Sequence, residues 1–249
     1  MNSRPAGYQE IKFFVSPRDE SDLKKLFAGF ATPDIHGDHG SYFIGTVYFD
    51  TPKLDFFMDK IEGEMTRIKI RLRSYADPAG TSWTQHYLEL KSRLCNLVYK
   101  RRIPLSPVDA DRIKIEGVDL QDIEKLFAER PPRGIARTML SSLLKPMVTT
   151  LYRRTAFTVE MLPGLRLTFD HDIAACLVGS NDIVSPSHLL LLIPVIFEIK
   201  SDGAIPQTIL HQMHIRGIGA TSVSKYALAL EHIFARQKDA RSIGARAGF

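Results

Sequence analysis

One seven-residue segment, Arg67–Arg73, alternates basic and aliphatic side chains without a break. Successive side chains of a β-strand point to opposite faces, so the aliphatic residues share one face and the cations share the other. Neighbouring cations on that face lie about 7 Å apart, and each pair repels by about 0.6 kcal/mol in water or about 2.4 kcal/mol at an effective dielectric constant of about 20. A strand of this kind faces either open solvent or a dense anion.

Composition and charge narrow the class of protein. The chain has 249 residues, of which 44% are hydrophobic and 24% are charged, as is usual for a soluble globular protein. The formal net charge is only +5, although the sequence pI is near 9.2. This balance is not that of a generally basic nucleic-acid coat, because the cations are concentrated in particular segments. Focused charge favours a discrete anion site.

The cysteines and the termini bear on the cellular compartment. Cys95 and Cys176 are isolated, with neither a disulfide framework nor metal-type spacing, which favours a reducing compartment. The first residues contain no apolar run typical of a signal peptide, and the longest apolar stretch, 189–197, is interrupted by Pro194 and too short to span a bilayer. We therefore expect a cytoplasmic location and no membrane segment in this chain.

Eight segments have the pattern of β-strands, and a closed barrel of eight strands has an interior that fits side chains or one slim ligand. The predicted strands are 8–15, 43–50, 65–75, 83–93, 97–103, 150–159, 164–172 and 194–200. Helices are predicted at 17–28, 52–61, 206–216 and 222–238, and helical spacing recurs around 120–127 and 139–144. We expect one α+β domain over residues 1–238, an antiparallel barrel with flanking helices, and a flexible basic tail at 239–249.

A glutamate stands two residues before a lysine in three of these strands. The pairs are Glu10 with Lys12, Glu89 with Lys91, and Glu198 with Lys200. Taken singly, each pair is typical of a cross-strand ion pair on a wet sheet face. Together with the Arg67–Arg73 segment, and with aliphatic residues on the opposite faces, they favour a shared polar lumen. Lysines and arginines in that lumen would hold a polyanion, and the carboxylates would hold a divalent cation.

An ordered set of short motifs resembles the VTC domain, the polyphosphate-polymerase branch of the triphosphate tunnel metalloenzymes in the CYTH-like superfamily. The resemblance covers residues 8–235. The motifs are Tyr8–Lys12, Val47–Thr51, Lys69–Tyr75, Leu88–Lys91, Tyr99–Arg102, Tyr152–Phe157, Leu165–Asp170, Phe197–Lys200 and Ser224–Tyr226. The family's hallmark is an eight-stranded antiparallel tunnel lined by basic residues, which is therefore the expected fold.

The resemblance also implies roles for individual residues. Catalytic roles at the transferred phosphate fall to Arg71, Arg73, Arg154, Arg166 and Lys200. Other substrate contacts are expected from Lys12, Lys69, Lys91, Lys100, Arg102 and Lys225. Glu198 is the expected ligand of Mn²⁺ or Mg²⁺, with Glu10 and Glu89 as helpers. The implied reaction transfers the γ-phosphate of ATP to inorganic polyphosphate, with a membrane protein as an expected partner and without nucleic acid.

One position departs from the wider superfamily, whose members begin with Glu-x-Glu-x-Lys, because Tyr8 stands where the first glutamate is expected. The loss of one carboxylate favours the polymerase branch over a two-metal triphosphatase. Two alternatives stay open at this point. One is a tunnel triphosphatase that hydrolyses tripolyphosphate or a nucleoside triphosphate, and the other is a non-catalytic module that binds polyphosphate, inositol phosphates or nucleic acid.

Overall fold

The computed structural model describes residues 7–76, 82–126, 144–178, 190–191 and 195–246. The strands in these residues are β1 (Tyr8–Val15), β2 (Thr32–Pro33), β3 (Ser41–Asp50), β4 (Thr66–Ala76), β5 (Trp83–Leu94), β6 (Leu97–Leu105), β7 (Lys145–Thr158), β8 (Arg166–Leu177), β9 (Leu190–Leu191) and β10 (Val195–Ser201). The helices are α1 (Pro17–Phe27), α2 (Asp55–Ile61), α3 (Pro107–Glu116), α4 (Leu120–Leu126), α5 (Gln207–Ile215) and α6 (Lys225–Arg246).

Eight of the strands close into an antiparallel barrel. Their order around the barrel is β7, β3, β4, β5, β6, β1, β10 and β8, and pairing between β7 and β8 completes the circle. The two-residue strands β2 and β9 add to its edges. The predicted fold class, an eight-stranded antiparallel barrel with flanking helices, is confirmed, and all eight predicted strands are present.

The aliphatic faces of the strands point outwards, where helices cover them. Ile68, Ile70 and Leu72 of β4 share a buried cluster with Ile113 of α3 and Ile123 of α4. A second cluster joins β1, β8 and β10 to α1 and α5. Burial of these faces leaves the basic faces of the same strands inside the barrel. Along β4, the alternation in the sequence therefore separates an apolar outer face from a charged inner face.

The helix boundaries confirm some predictions and correct others. Ser16 caps α1 by accepting the Asp19 N–H at 3.1 Å, and Pro17 follows it, as predicted. The same Ser-Pro signal, Ser106 and Pro107, starts α3, which the sequence analysis missed. Helix α6 continues to Arg246, through most of the segment predicted as a tail. Segment 139–143 lies outside the described residues, and the single-domain assignment stays a prediction.

No helix in the described ranges is both long enough and apolar enough to cross a membrane.

The first residues of α6 reach the lumen, and a hydrogen bond from Tyr226 to Asp50 holds the helix there. This buried carboxylate accepts N–H groups of Phe56 and Phe57 at the start of α2, each at 3.0 Å, and the Tyr226 hydroxyl of α6 at 2.7 Å. Burial raises the pKa of Asp50 despite these hydrogen bonds. Asp50 thus ties β3 to two helices at one end of the lumen.

The Tyr226 hydroxyl bond gives a measurable stability contribution. We expect Tyr226→Phe to lower the free energy of unfolding by about 1.5–3 kcal/mol, because a hydrogen bond to a buried carboxylate is lost while the ring stays packed. Denaturant unfolding measures this change, and Tyr99→Phe, an exposed tyrosine on β6, is the matched control. Equal stability of the Tyr226→Phe protein and its parent would show that Asp50 does not depend on this donor.

Candidate functional site

Strand register gathers the predicted basic residues on the inner face of the barrel. Along β4 and β5, Lys69 lies opposite Lys91 and Arg71 opposite Glu89. Ten of the predicted cations are buried or half-buried there, and four carboxylates lie among them. The cations are Lys12, Lys69, Arg71, Arg73, Lys91, Lys100, Arg154, Arg166, Lys200 and Lys225, and the carboxylates are Glu10, Glu89, Asp170 and Glu198.

Glu198 on β10 is the centre of the largest ion-pair group. Its carboxylate lies 2.5 Å from Lys200 Nζ, 2.6 Å from Lys12 Nζ, 3.1 Å from Lys225 Nζ and 3.3 Å from an Arg154 amino nitrogen. Burial alone would raise the pKa of Glu198, but these four cations hold it well below its usual range. Residues from the first strand, the seventh strand and the last helix therefore meet at one carboxylate.

Asp170 on β8 is a second buried carboxylate beside this group. It accepts two hydrogen bonds from Arg154, at 2.6 and 2.8 Å, and lies 2.5 Å from Lys225 Nζ. These partners outweigh burial and lower the pKa of Asp170 to about 2. The same contacts raise the pKa of Lys225 against the effect of burial. Asp170 thus fixes the two cations that also contact Glu198.

Glu89 on β5 organises a separate group of cations. Its carboxylate lies 2.8 Å from an Arg71 amino nitrogen, 3.8 Å from Arg73 Nε and 2.5 Å from Lys100 Nζ. These cations lower the pKa of Glu89 although burial opposes the shift. Arg73 also donates to the Tyr152 hydroxyl at 3.0 Å, so its guanidinium connects Glu89 on β5 with Tyr152 on β7.

Glu10 links two strands of the lumen wall, and Lys69 connects that wall to the start of α6. Glu10 lies 2.5 Å from Lys91 Nζ and 3.5 Å from Lys12 Nζ. Lys69 donates to the Ser224 hydroxyl at 2.5 Å, immediately before α6 begins. Because Lys225 follows Ser224, the helix start contributes two consecutive side chains to the lumen.

Two predicted cations lie at the edge of the lumen. Arg166 contacts Asp34 at 2.5 Å and the Tyr42 hydroxyl at 2.9 Å, and its side chain is partly exposed. Arg102 is exposed and stacks on the Tyr87 ring, with its guanidinium carbon 4.6 Å from the ring centroid. Both arginines are therefore more exposed than the cations around Glu198.

Several lumen lysines are poised to change charge near neutral pH. Burial, which outweighs the adjacent Glu89 carboxylate, lowers the pKa of Lys100 to about 7. Burial likewise lowers the pKa of Lys200 to about 7 against the effect of Glu198, and that of Lys91 to about 8 against the effect of Glu10. Burial and the neighbouring lysines lower the pKa of Lys69 well below its usual value. A bound polyanion would favour the protonated form of each lysine.

Carboxylates compensate only part of the repulsion expected between the β4 cations. Arg71 is paired with Glu89, and Lys69 donates to Ser224. Arg67 lies at the end of the row, opposite Arg93, and is half-buried. Removal of Arg71 would therefore leave a buried carboxylate with fewer partners instead of relieving repulsion.

The carboxylates fit a divalent cation that arrives together with phosphate. Glu10 and Glu198 both contact the Lys12 and Lys200 ammonium groups, whereas within the described ranges Glu89 shares no ion-pair partner with either. Those ranges hold no group of three or more acidic, His or Cys side chains able to bind a metal unaided. Mg²⁺ is commonly bound by one or two carboxylates plus phosphate oxygens, and Glu198 with Glu10 would suit that role.

Sequence reasoning did not assign functions to Asp170, Ser224 or Tyr152. Asp170 is four residues after Arg166 on the same strand, so alternation places both on one face and would have identified it. Ser224 and Tyr152 become part of the site only through contacts with Lys69, Arg73 and Lys225. No spacing in the sequence signals those long-range contacts.

Three known proteins show similarity to this chain. A 187-residue stretch is 26% identical to vacuolar transporter chaperone complex subunit 4 of Schizosaccharomyces pombe, and it spans 67% of this chain but only 26% of that protein. Among solved structures, the PH1819 protein of Pyrococcus horikoshii OT3 aligns with a TM-score of 0.48 at 12% identity, over 90% of this chain and 99% of that one. The Mimivirus capping enzyme triphosphatase aligns with a TM-score of 0.39 at 9% identity, over 84% of this chain and 87% of that one.

The two structural likenesses are too distant to carry an argument about the reaction. The family profile is more informative, because the VTC domain matches residues 7–234, which include every cation and carboxylate of the lumen. With the closed barrel and its charged interior, this match establishes that the chain belongs to the VTC domain family.

Proposed function

We propose that the chain is a polyphosphate polymerase that transfers the γ-phosphate of ATP to a polyphosphate chain inside the lumen. The observation that carries this proposal is the excess of buried cations over carboxylates around a closed barrel. Such an interior is costly unless a polyanion occupies it. Membership of the VTC domain family and the relationship to a vacuolar transporter chaperone subunit support the choice of polyphosphate.

The side chains suit phosphoryl transfer, which needs positioning and charge neutralisation more than covalent chemistry. Arg71, Arg73 and Arg154 would hold phosphate oxygens through their forked guanidinium groups, and Lys12 and Lys200 would neutralise charge beside them. Mn²⁺ or Mg²⁺ bound with Glu198 would add positive charge at the transferred phosphate. Opposed walls of the lumen would keep donor and acceptor phosphates in line.

Purified protein incubated with ATP and Mn²⁺ should release ADP and form polyphosphate. We expect Arg154→Gln to lower turnover by about a thousandfold, because a positioned arginine is among the largest contributions in phosphoryl transfer. Arg153→Gln is the matched control, since Arg153 is the next residue on β7 but points outwards to Asp172. The control variant should keep the turnover of the parent.

The products distinguish the alternatives. Release of orthophosphate without chain growth would replace the polymerase by a tunnel triphosphatase. Tight tripolyphosphate binding without any turnover would identify a binding module. Absence of tripolyphosphate binding, together with no shift of the melting temperature when tripolyphosphate is added, would exclude the polymerase, the triphosphatase and a polyphosphate-binding module.

The protein partner and the cellular compartment are also proposals. The relative is named as a subunit of a complex, so we propose that this chain works with a protein partner that lies in a membrane. Cys95 and Cys176 are both free, which supports a reducing, cytoplasmic compartment. Co-purification from detergent-solubilised membranes, compared with the soluble fraction, tests both statements.

A further inference from the structure

The inner face of β4 and β5 changes its chemistry towards one end of the barrel. From the end where Lys69 contacts Ser224, the opposed pairs are Arg67 with Arg93, Lys69 with Lys91, Arg71 with Glu89, Arg73 with Tyr87, and Tyr75 with Gln85. The first pairs are ionic, whereas the last pair has an aromatic ring and an amide.

The residues after this change form what we call the tyrosine rim: Tyr75, Gln85, Tyr87 and Arg102. The Tyr75 and Tyr87 rings are half-buried and meet edge to face, with centroids 6.0 Å apart. Gln85 and Arg102 are exposed, and the Arg102 guanidinium covers the Tyr87 ring. The rim therefore offers planar groups and one amide to solvent, directly beside the cations of the lumen.

Several polar atoms next to the rim are buried and have no hydrogen-bond partner among the residues that the structure describes. They are Nε of Arg73, Nε of Arg166 and the hydroxyl of Thr46, which lies opposite Arg73 on β3. Arg73 Nε is 3.8 Å from the nearest Glu89 oxygen, beyond hydrogen-bond distance. Buried donors normally have partners, so these atoms indicate a missing acceptor at the inner side of the rim. Phosphate oxygens would supply it.

We propose that the tyrosine rim binds the base of a nucleoside triphosphate whose phosphates extend into the lumen. Tyr75 lies about 7 Å beyond Arg73 along β4, which leaves room for a ribose between the base and the first phosphate. Aromatic rings and guanidinium planes both stack on nucleobases, and the Gln85 amide both donates and accepts hydrogen bonds.

This inference rests on the proposed function and adds the orientation of the bound nucleotide. With the base at the rim, the γ-phosphate points inwards, towards Lys12, Lys225 and Glu198. Inorganic tripolyphosphate would occupy the same cations but would not contact the rim. The difference between the two ligands is therefore the measure of the rim's contribution.

Calorimetric titration with ATP and with tripolyphosphate tests the proposal. We expect Tyr87→Leu to weaken ATP binding about tenfold, as for the loss of one stacked base, and to leave tripolyphosphate binding unchanged. Tyr87→Phe keeps the ring and should keep the ATP affinity. Tyr99→Leu makes the same change at an exposed tyrosine on β6 and should affect neither ligand. Gln85→Ala, at an exposed side chain, should weaken ATP binding alone without risk to folding.

Each other outcome has a definite meaning. If both rim variants bind ATP as tightly as the parent while the parent binds tripolyphosphate, the rim proposal is overturned and the proposed function stands. If both ligands weaken equally, the rim supports the phosphate site and does not bind a base. If the parent binds neither ligand, the proposed function fails and the rim proposal fails with it.

Discussion

Replacement of Glu198 by glutamine should lower the melting temperature of the ligand-free protein by roughly 10 °C. The carboxylate is buried and contacts four cations, which would be left with Asp170 and Glu10 as their remaining acidic partners. Removal of one partner from a buried ion-pair group costs about 3–5 kcal/mol, and each kcal/mol shifts melting by about 2–4 °C in a protein of this size. Differential scanning calorimetry in phosphate-free buffer measures the loss.

Tripolyphosphate should restore most of that melting temperature, because its oxygens would replace the missing carboxylate among the same cations. Glu62→Gln is the control for loss of an exposed carboxylate and should melt like the parent. A Glu198→Gln protein that melts at the parental temperature without ligand would show that the four cations do not depend on Glu198. Restoration by sulfate and tripolyphosphate alike would show a general anion effect instead of a triphosphate site.

The affinity for tripolyphosphate should fall by about a hundredfold or more between pH 7 and pH 9. The pKa values of Lys100 and Lys200 are about 7 and that of Lys91 is about 8 in the ligand-free protein, because burial disfavours their charged forms. A bound polyanion raises these pKa values, so binding takes up protons and weakens as each free lysine becomes neutral with rising pH. Titration calorimetry in buffers of different ionisation enthalpy measures both affinity and proton uptake.

The double variant Lys100→Arg, Lys200→Arg should flatten this profile, because guanidinium groups stay charged over the whole range. Tripolyphosphate itself titrates identically in both experiments, so the difference between the profiles belongs to the two lysines. Lys114→Arg, an exchange outside the lumen, is the matched control and should keep the parental slope. A parental profile that is already flat would contradict the lowered lysine pKa values.

Strand positions were predictable because the hydrophobic pattern is strict where one face is buried. Arg67–Arg73 is the clearest case, since a one-residue shift would place Ile68, Ile70 and Leu72 in the charged lumen. Helix α3 was missed although Ser106 and Pro107 form the same start signal that identified α1. The hydrophobic spacing within α3 is weak, with Ala110 and Ile113 as its only buried residues.

The side of the barrel that each cation faces was predictable, and so were the contacts of Lys12 with Glu10 and of Lys200 with Glu198, but other partners were not. Alternation puts Glu89 and Lys91 on one face, and within the sequence they look like partners. In the structure Glu89 pairs with Arg71 and Lys100, while Lys91 pairs with Glu10 on another strand. Pairings of this kind depend on barrel closure and strand tilt, which short-range spacing does not encode.

The contact between Lys12 and Glu198 joins residues that are 186 positions apart in the chain. Lys225, from the start of α6, contacts the same carboxylate. During synthesis a ribosome must therefore release nearly the whole barrel and the beginning of its last helix before this group of charges can assemble. Tripolyphosphate binding would then report completed folding. A chain stopped before residue 225 would lack Lys225, one of the four cations that contact Glu198.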